Sequence, residues 1–210
     1  FEVTHTVDCI GGTGDFSSIQ DAIDVVGEDD TVMLISNCAE DVEVDVNYIN
    51  ITSDQNGDMN LGGDFTLTGS IFVDNAVGVD IEYLTVTGST GPGIWFHGAS
   101  NGSVEGVNSN GNEGSGLLVN LASAVGVDNS TFTNNGTASN YGAGIEVANR
   151  SAARIDNSTM NNNFNDGVGV FWDSFARVAG STLSNNGSFD PFDAGFQIAH
   201  HSSVRSNDNT

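Results

Sequence analysis

The sequence repeats itself, and this feature constrains the fold more than any other. A ten-residue block of the form apolar-x-x-Ser-Thr-apolar-x-Asn-Asn-x recurs at 127–136, 155–164 and 178–187. A second segment, which opens with glycine and then alternates apolar with other residues, begins at Gly93, Gly116, Gly144, Gly169 and Gly195, at spacings of 23, 28, 25 and 26 residues. A period of this size, with alternation inside each block, predicts stacked coils of short strands.

The alternation also predicts which side chains point into the stack. The Gly-led strand contributes Ile94 and Phe96, Leu117 and Val119, Ile145 and Val147, Val170 and Trp172, and Phe196 and Ile198. A second strand contributes Val104, Val127, Ile155, Val178 and Val204, and a third contributes Phe132, Met160 and Leu183. Each such side chain stabilises the fold by about 1.5–3 kcal/mol when fully buried. The sequence therefore predicts an all-β chain, a right-handed parallel β-helix.

Pairs of asparagines end the ten-residue blocks, at 134–135, 162–163 and 185–186. They could form a row that binds a ligand. The structural interpretation is the stronger one, because asparagine tolerates the left-handed conformation of a turn and its amide can hydrogen-bond the same amide one coil along.

We expect one domain over residues 1–210, with an N-terminal cap at 1–30, irregular first coils at 31–92 and regular coils at 93–210. Ser17-Ser-Ile-Gln20 resembles a capping box, and Ile19, Ala22, Ile23 and Val26 follow at helical spacing. A short amphipathic helix here would cover one end of the solenoid. The last coil is incomplete at residue 210, so we expect a further domain or a neighbouring chain at that end.

The charge is strongly one-sided, with 28 acidic residues against four arginines and no lysine, a net charge of −24. Such a chain repels nucleic acid and anionic membranes, and no apolar run is long enough for membrane insertion. Self-repulsion of this kind is relieved at ~1 M salt, where the Debye length is about 3 Å. The composition favours an acidic, halophilic protein. The alternative is a secreted protein whose carboxylates hold Ca²⁺.

The two cysteines, Cys9 and Cys38, lie in the first fifth of the chain. They are either buried free thiols or a disulfide that stabilises the fold by about 3–4 kcal/mol. We favour the disulfide, because the other features point to a secreted or cell-surface protein.

The cap and first strand, Gly14-Asp-Phe-Ser-Ser-Ile-Gln-Asp-Ala-Ile-Asp24 and Asp30-Thr-Val-Met-Leu-Ile35, together with the repeated blocks, resemble the pectin-lyase-like superfamily. The resemblance covers nearly the whole chain and implies the β-helix fold. It implies activity only broadly, since the superfamily includes lyases, esterases, epimerases, hydrolases, phage tailspikes and non-catalytic surface proteins. Asn37-Cys-Ala-Glu40 stands where the methylesterases have a Gly-x-Tyr-x-Glu stretch. The paired Asp and Gly-His-Gly segments of polygalacturonases are absent, and no lysine is present to act as a lyase base.

The resemblance implies that a polysaccharide or other glycan would lie along an outward sheet face beside the variable loops. Sugar rings stack on aromatic faces, while amides, carboxylates and imidazoles hydrogen-bond their hydroxyl groups. The predicted substrate-binding residues on the outward face of the Gly-led strand and just beyond it are Trp95, His97, Asn120, Phe171, Gln197 and His200.

Glu146, Arg150 and Asp173 are the predicted catalytic residues. Glu146 and Asp173 in adjacent coils could serve retaining glycoside hydrolysis, or Arg150 could act as a base for β-elimination. Asp166, Asp190 and Asp193 are the predicted ligands of a possible Ca²⁺. The alternative for all these charges is that they are solvated groups on an acidic surface.

Two functions follow from these observations. In the first, the chain is an extracellular enzyme or binding protein directed at a polysaccharide, and Glu146, Arg150 and Asp173 converge on one pocket. In the second, it is a non-catalytic structural or adhesive module of a larger cell-surface or phage protein, and those residues do not converge.

Overall fold

Twenty-three short strands and one short helix make up the computed structural model, which describes residues 2–53, 57, 59–187 and 195–210. The helix is α1 (Ile19–Ile23). The strands are β1 (Thr4–Val7), β2 (Thr31–Leu34), β3 (Cys38–Ala39), β4 (Val42–Val44), β5 (Asn50–Thr52), β6 (Thr66–Thr68), β7 (Ile71–Asp74), β8 (Val77–Glu82), β9 (Thr85–Thr87), β10 (Ile94–His97), β11 (Asn101–Glu105), β12 (Asn108–Asn110), β13 (Leu117–Val119), β14 (Ala124–Asp128), β15 (Thr131–Thr133), β16 (Ile145–Val147), β17 (Ala152–Asp156), β18 (Thr159–Asn161), β19 (Val168–Val170), β20 (Phe175–Ala179), β21 (Thr182–Ser184), β22 (Phe196–Ile198) and β23 (Ser203–Asn207).

The strands form three parallel sheets, and each full coil of the chain visits them in turn. Sheet 1 has the order β4-β7-β10-β13-β16-β19-β22, sheet 2 the order β1-β2-β5-β8-β11-β14-β17-β20-β23, and sheet 3 the order β3-β6-β9-β12-β15-β18-β21. This is a parallel β-helix, so the predicted fold class is confirmed. The one helix in the described part of the chain, α1, is not long and apolar enough to cross a bilayer.

The core is a stack of apolar side chains inside the three sheets, most of them fully buried. In sheet 1 each of the six strands from β4 to β19 buries its first and third residue, for example Ile94 and Phe96 in β10. The inward positions of sheets 2 and 3 also match those expected, although Leu183 and Val204 near the C-terminal end are only half-buried. In the last strand of sheet 1, β22, Ile198 is exposed, so its predicted inward position was wrong.

One coil was misaligned in the sequence prediction. Ile145 pairs with Val168, so Gly167, and not Gly169, is the glycine equivalent to Gly144. The coils therefore alternate regularly between 23 and 28 residues. Val170 does point inward, but Trp172 lies beyond the strand and is 46% exposed, so its predicted inward position was wrong.

Rows of polar side chains run inside the corners of the helix. The amide of Asn112 donates to Asn135 (3.0 Å), Asn135 to Asn163 (3.2 Å) and Asn163 to Asn186 (2.9 Å). The structural interpretation of the asparagine pairs is thus confirmed. The first asparagine of each pair takes the left-handed turn, with φ near 55° at Asn134.

Two rows of serine hydroxyls line the other corners. Along one row the Ser123 amide donates to the Ser151 hydroxyl, and the Ser151 amide donates to that of Ser174. Along the other, the Ser130 amide donates to the Ser158 hydroxyl. These buried contacts satisfy backbone groups that the corner turns would otherwise leave unpaired.

The cap helix α1 begins after Ser18, whose hydroxyl accepts a hydrogen bond from the Asp21 amide. Glu40 completes the cap from a distant coil, because its carboxylate accepts from the Ser18 hydroxyl (2.9 Å) and the Ile19 amide (2.8 Å). The capping box expected from Ser17 therefore starts one residue later, and its acidic partner comes from outside the helix. Cys9 and Cys38 form the predicted disulfide beside this cap.

Candidate functional site

The outer face of sheet 1 carries one row of side chains, one from each coil. Because the strands pair in parallel and in register, equivalent residues of successive coils form a straight row. Neighbouring members of the row lie about 4.8 Å apart. The row runs Glu43, Phe72, Trp95, Leu118, Glu146, Gly169, Gln197.

An aromatic cluster, defined as Phe72, Trp95 and His97, lies on the second and third strands of this face, β7 and β10. The ring centroids of Phe72 and Trp95 are 4.8 Å apart, those of Trp95 and His97 5.2 Å, and those of Phe72 and His97 5.5 Å. The Asp74 carboxylate lies 2.7 Å from His97 Nδ1 and orients the imidazole. All three rings are half-buried and keep part of their surface open to solvent. Phe72 belongs to the cluster but was not predicted, since its strand precedes the regular repeats.

The cluster carries a cost in stability. Trp95 Nε1 is buried and finds no hydrogen-bond partner within the described part of the chain. An unsatisfied buried donor typically costs about 1–3 kcal/mol. Features that break the rules of folding cluster at functional sites.

Glu146 stands further along the same row, between Leu118 and Gly169. Burial raises the pKa of the Glu146 carboxyl above its ordinary value, and a hydrogen bond from the Ser115 hydroxyl (3.2 Å) opposes part of that rise. The residues in register with it in the two neighbouring coils, Leu118 and Gly169, carry no charge. Glu146 can therefore hold a proton at a higher pH than an exposed glutamate does.

A second aromatic ring, Phe171, follows β19, three strands along the solenoid from Trp95, near the corner between sheets 1 and 2. Its ring lies over Gly169, where an added Cβ would be 2.7 Å from Phe171 Cε2. The ring also contacts Trp172, at a centroid distance of 5.6 Å. The missing side chain at position 169 thus leaves the space that this ring fills.

The corner itself is a turn of two residues in the left-handed conformation, repeated from coil to coil. Asn149 and Arg150 form it in one coil, with φ of 55° and 65°, and Trp172 and Asp173 form it in the next, with φ of 53° and 59°. Bulky residues are uncommon in this conformation. An open depression of about 440 Å³ lies over these turns; Leu121, Ala122, Asn149, Arg150, Trp172 and Asp173 line it.

Trp172 presents its indole at this depression. The ring stacks on the imidazole of His200 in the following coil, at 5.6 Å and an interplanar angle of 5°. His201 Nδ1 lies 3.9 Å from the Asp173 carboxylate. Within the described residues Arg150 has no carboxylate within 4.0 Å, so its charge is available to a ligand.

The structure separates the predicted catalytic residues into two places. Arg150 and Asp173 share the corner depression, whereas Glu146 lies on the sheet face and does not line it. Asp173 is in the turn, and the residue in register with Glu146 is Gly169.

The predicted binding residues are also divided. Trp95, His97, Phe171 and Gln197 lie along or beside the outer face of sheet 1, and His200 lies at the corner. Asn120 accepts a hydrogen bond from the Asn149 amide (2.8 Å) next to the depression. Besides Phe72, the sequence prediction missed Trp172, because the misaligned glycine placed it in the core.

Of the three predicted calcium ligands, Asp166 is fully buried, and Asp190 and Asp193 lie outside the described residues. The group Cys9, Cys38 and Glu40 brings two sulfurs and a carboxylate together, but both sulfurs are committed to the disulfide.

A family model described as right-handed β-helix region matches residues 69–210. The chain belongs to this right-handed β-helix family. The β-helix protein is also similar to a solved structure, the pectate lyase Pel9A, with a TM-score of 0.67 and 12% sequence identity. The similarity covers all of this chain and 62% of that one, so the β-helix protein spans less than two thirds of the lyase. At this identity the likeness establishes the fold alone. No curated protein matches the sequence.

Proposed function

We propose that this β-helix protein binds a polysaccharide strand along the outer face of sheet 1, and that it does so outside the cell. The aromatic cluster of Phe72, Trp95 and His97 is the observation that carries the proposal. Its rings offer a broad, partly open apolar surface at the cost of an unpaired indole N–H. Aromatic faces with polar groups at their edges, such as the Asp74–His97 pair, match the alternating apolar and hydroxyl surfaces of a sugar.

The corner depression continues this surface and adds charge selectivity. Phe171 connects the sheet face to Trp172 through ring contact. Arg150, which has no carboxylate within 4.0 Å among the described residues, can pair with an acidic substituent of the strand. Asp173 and Asn149 provide hydrogen-bonding groups for hydroxyls on the same side. We therefore expect acidic glycans to bind more tightly than neutral ones.

Binding is favoured over two-carboxylate hydrolysis. Leu118 and Gly169 flank Glu146 in the neighbouring coils, so no second carboxylate stands beside it in the row. Within this proposal Glu146 hydrogen-bonds hydroxyl groups of the strand. A role for Glu146, Arg150 and Asp173 in catalysis and a bound Ca²⁺ stay as hypotheses that the binding experiment also addresses.

The extracellular location is supported by the disulfide, which persists in oxidising compartments. It is also supported by a surface whose charge of −24 suits a saline medium.

The test is calorimetric titration with uronate-containing and neutral polysaccharides, with and without Ca²⁺, while reducing ends and unsaturated products are followed in parallel. Trp95→Ala is expected to weaken binding of all ligands at least about tenfold, the equivalent of ~1.4 kcal/mol. Arg150→Ala is expected to weaken acidic ligands only.

Phe175→Ala, which removes a solvent-exposed ring from sheet 2, is the control and should bind as the unaltered protein does. Binding that survives Trp95→Ala would exclude the sheet 1 face. An absence of binding to the whole panel would favour the structural or adhesive module. Product formation that Glu146→Gln abolishes would show that the site is catalytic.

A further inference from the structure

Three of the four arginines stand in register on one face of the molecule, the outer face of sheet 2. Arg154, Arg177 and Arg205 occupy equivalent positions of β17, β20 and β23. All three reach solvent, the side chain of Arg154 being 70% exposed. In a chain with no lysine, this row gathers most of the positive charge into one end of one sheet.

The opposite end of the same face is acidic. Glu82, Glu105, Asp128 and Asp156 are in register along β8, β11, β14 and β17. Asp156 alone meets arginines, since Arg154 Nε lies 2.6 Å and Arg177 Nη1 2.5 Å from its oxygens.

The remaining carboxylates of this row are left without arginines. Burial raises the pKa of Glu82 above its ordinary value, and the nearby Asp80 and Glu105 charges raise it further. The face is thus positive towards β23 and negative towards β8.

An apolar area lies between the two ends. A hollow of about 380 Å³ is lined mainly by apolar side chains from β14, β17 and β20, with the aliphatic parts of Arg154 and Arg177 at its edge. Ala124, Ala152 and Phe175 are in register here, and Phe175 is 43% exposed.

We propose that the outer face of sheet 2 is the interface of a two-fold dimer with a second copy of this chain, its solenoid axis antiparallel to the first. A two-fold axis that lies in the interface between β14 and β17, parallel to the strands, exchanges β23 with β8 and β20 with β11. It places Arg205 against Asp80 and Glu82 of the second copy, and Arg177 beside its Glu105. The apolar hollow then lies on the axis, which is the arrangement of an isologous interface.

A second copy fits this face better than an acidic polymer does. The arginine row covers only three strands, roughly 10 Å along the solenoid at about 4.8 Å per strand. A polymer lying along the axis would next meet the carboxylates of Asp128 and Glu105 and be repelled by them. The second copy reverses the order of charges and so complements both ends.

The small size of the face limits the strength of the association. Six overlapping strands of about five residues give roughly 29 by 16 Å, or about 460 Å² for each copy. A standard stable interface buries about 800 Å² on each partner. The dimer is therefore weak, with a dissociation constant in the micromolar range or above, and depends on protein concentration.

Sedimentation velocity over a range of protein concentrations up to about 1 mM tests the proposal. The unaltered chain is expected to shift from monomer to dimer. Arg205→Glu and Asp80→Arg should each weaken the association at least about tenfold, because each brings like charges together twice per dimer. An equimolar mixture of the two variants should dimerise again, since both contacts are then between opposite charges.

Arg150→Glu is the matched control, because it makes the same charge change in the corner turn before β17, outside the arginine row on the outer face of sheet 2, and should leave the dimer intact. The mixture also controls for folding, since a variant that does not fold cannot be rescued. A chain that stays monomeric at every concentration overturns the proposal, as does a dimer that both variants retain. Loss of binding to an acidic polymer on Arg205→Glu, with no change in association state, would assign the face to that polymer.

Discussion

Glu146 has uncharged residues in register with it in both adjacent coils. Leu118 and the Phe171 ring over Gly169 surround it, and Ser115 supplies one hydrogen bond. Desolvation of this kind disfavours the ionised form. The native protein therefore binds the Glu146 proton more tightly than the unfolded chain does, and this side chain opposes folding at neutral pH.

Glu146→Gln is expected to stabilise the protein at pH 7. Because the folded pKa is raised, the unfolded chain loses its proton first as the pH increases, and stability falls across that window. Glutamine removes this loss. Each ~1 kcal/mol corresponds to about 2–4 °C in Tm for a domain of this size, and we expect a rise of that order. Thermal melts at pH 7 and below the ordinary glutamate pKa of about 4.3 measure it.

Glu43→Gln is the control, since Glu43 is the exposed residue of the same row in β4. It should leave Tm unchanged at both pH values. A Glu146→Gln variant that is less stable at pH 7, or equally stabilised at both pH values, would contradict the electrostatic explanation.

Single residues also show where the sequence misled. The inward positions were predictable, because alternation inside a strand has a period of two. The prediction aligned Gly169 with Gly144, two residues too late, and a shift of two residues leaves the inward and outward positions of a strand unchanged. Val170 was therefore predicted correctly, whereas Trp172 lies beyond the end of the strand. The left-handed turns at Arg150 and Trp172 were not predictable, since asparagine and glycine are the residues that normally signal them.

At the scale of elements, the asparagine row binds neighbouring coils to one another. The side-chain oxygen of Asn163 accepts hydrogen bonds from the backbone N–H of Asn135 (3.0 Å) and from its side-chain amide (3.2 Å). It donates to the Phe132 carbonyl (3.0 Å) and to Asn186. These groups are buried, so water does not replace a lost partner.

Asn163→Ala is expected to destabilise the protein by about 3–5 kcal/mol, because several buried groups lose their partners at about 1–3 kcal/mol each. Urea denaturation measures this loss. Asn162→Gly is the matched control: Asn162 is exposed with φ of 55°, which glycine adopts freely. A loss at Asn163 no greater than that at Asn162 would mean that the row contributes little.

Repetition made these elements predictable. The Asn-Asn and Gly-apolar-x-apolar blocks occur in several coils, so their spacing indicated both the strands and the buried amides. The cap was predictable only in part, because the residue that completes it, Glu40, lies 21 positions from Ile19. Phe72 was missed for the same reason, since nothing in the local sequence of β7 signals that its outer side chain will meet Trp95.

For the molecule as a whole, the excess of negative charge is the main electrostatic effect that opposes folding. Twenty-eight acidic residues oppose four arginines, and sheet 2 places carboxylates in register between coils. Repulsion between such charges is screened as the Debye length falls from about 10 Å at 0.1 M salt to about 3 Å at 1 M.

The free energy of unfolding is therefore expected to rise with NaCl concentration, and Tm to increase by at least about 4 °C between ~0.1 M and ~1 M. Differential scanning calorimetry measures it, with sucrose as a neutral solute for comparison. A Tm independent of salt would show that the carboxylates are already compensated. A rise at low Ca²⁺ concentration, beyond that of NaCl at equal ionic strength, would indicate bound calcium.

The serine and asparagine rows have a consequence for how this protein could change its length. Each coil offers its successor the same inside contacts that it takes from its predecessor, at separations that alternate between 28 and 23 residues. A gene segment that encodes one long and one short coil could be copied or removed in evolution. The serine and asparagine side chains at the new junctions would then make the same hydrogen bonds as those in the present coils. The chain is thus built from interchangeable units, and its length could vary without new kinds of contact at the junctions between coils.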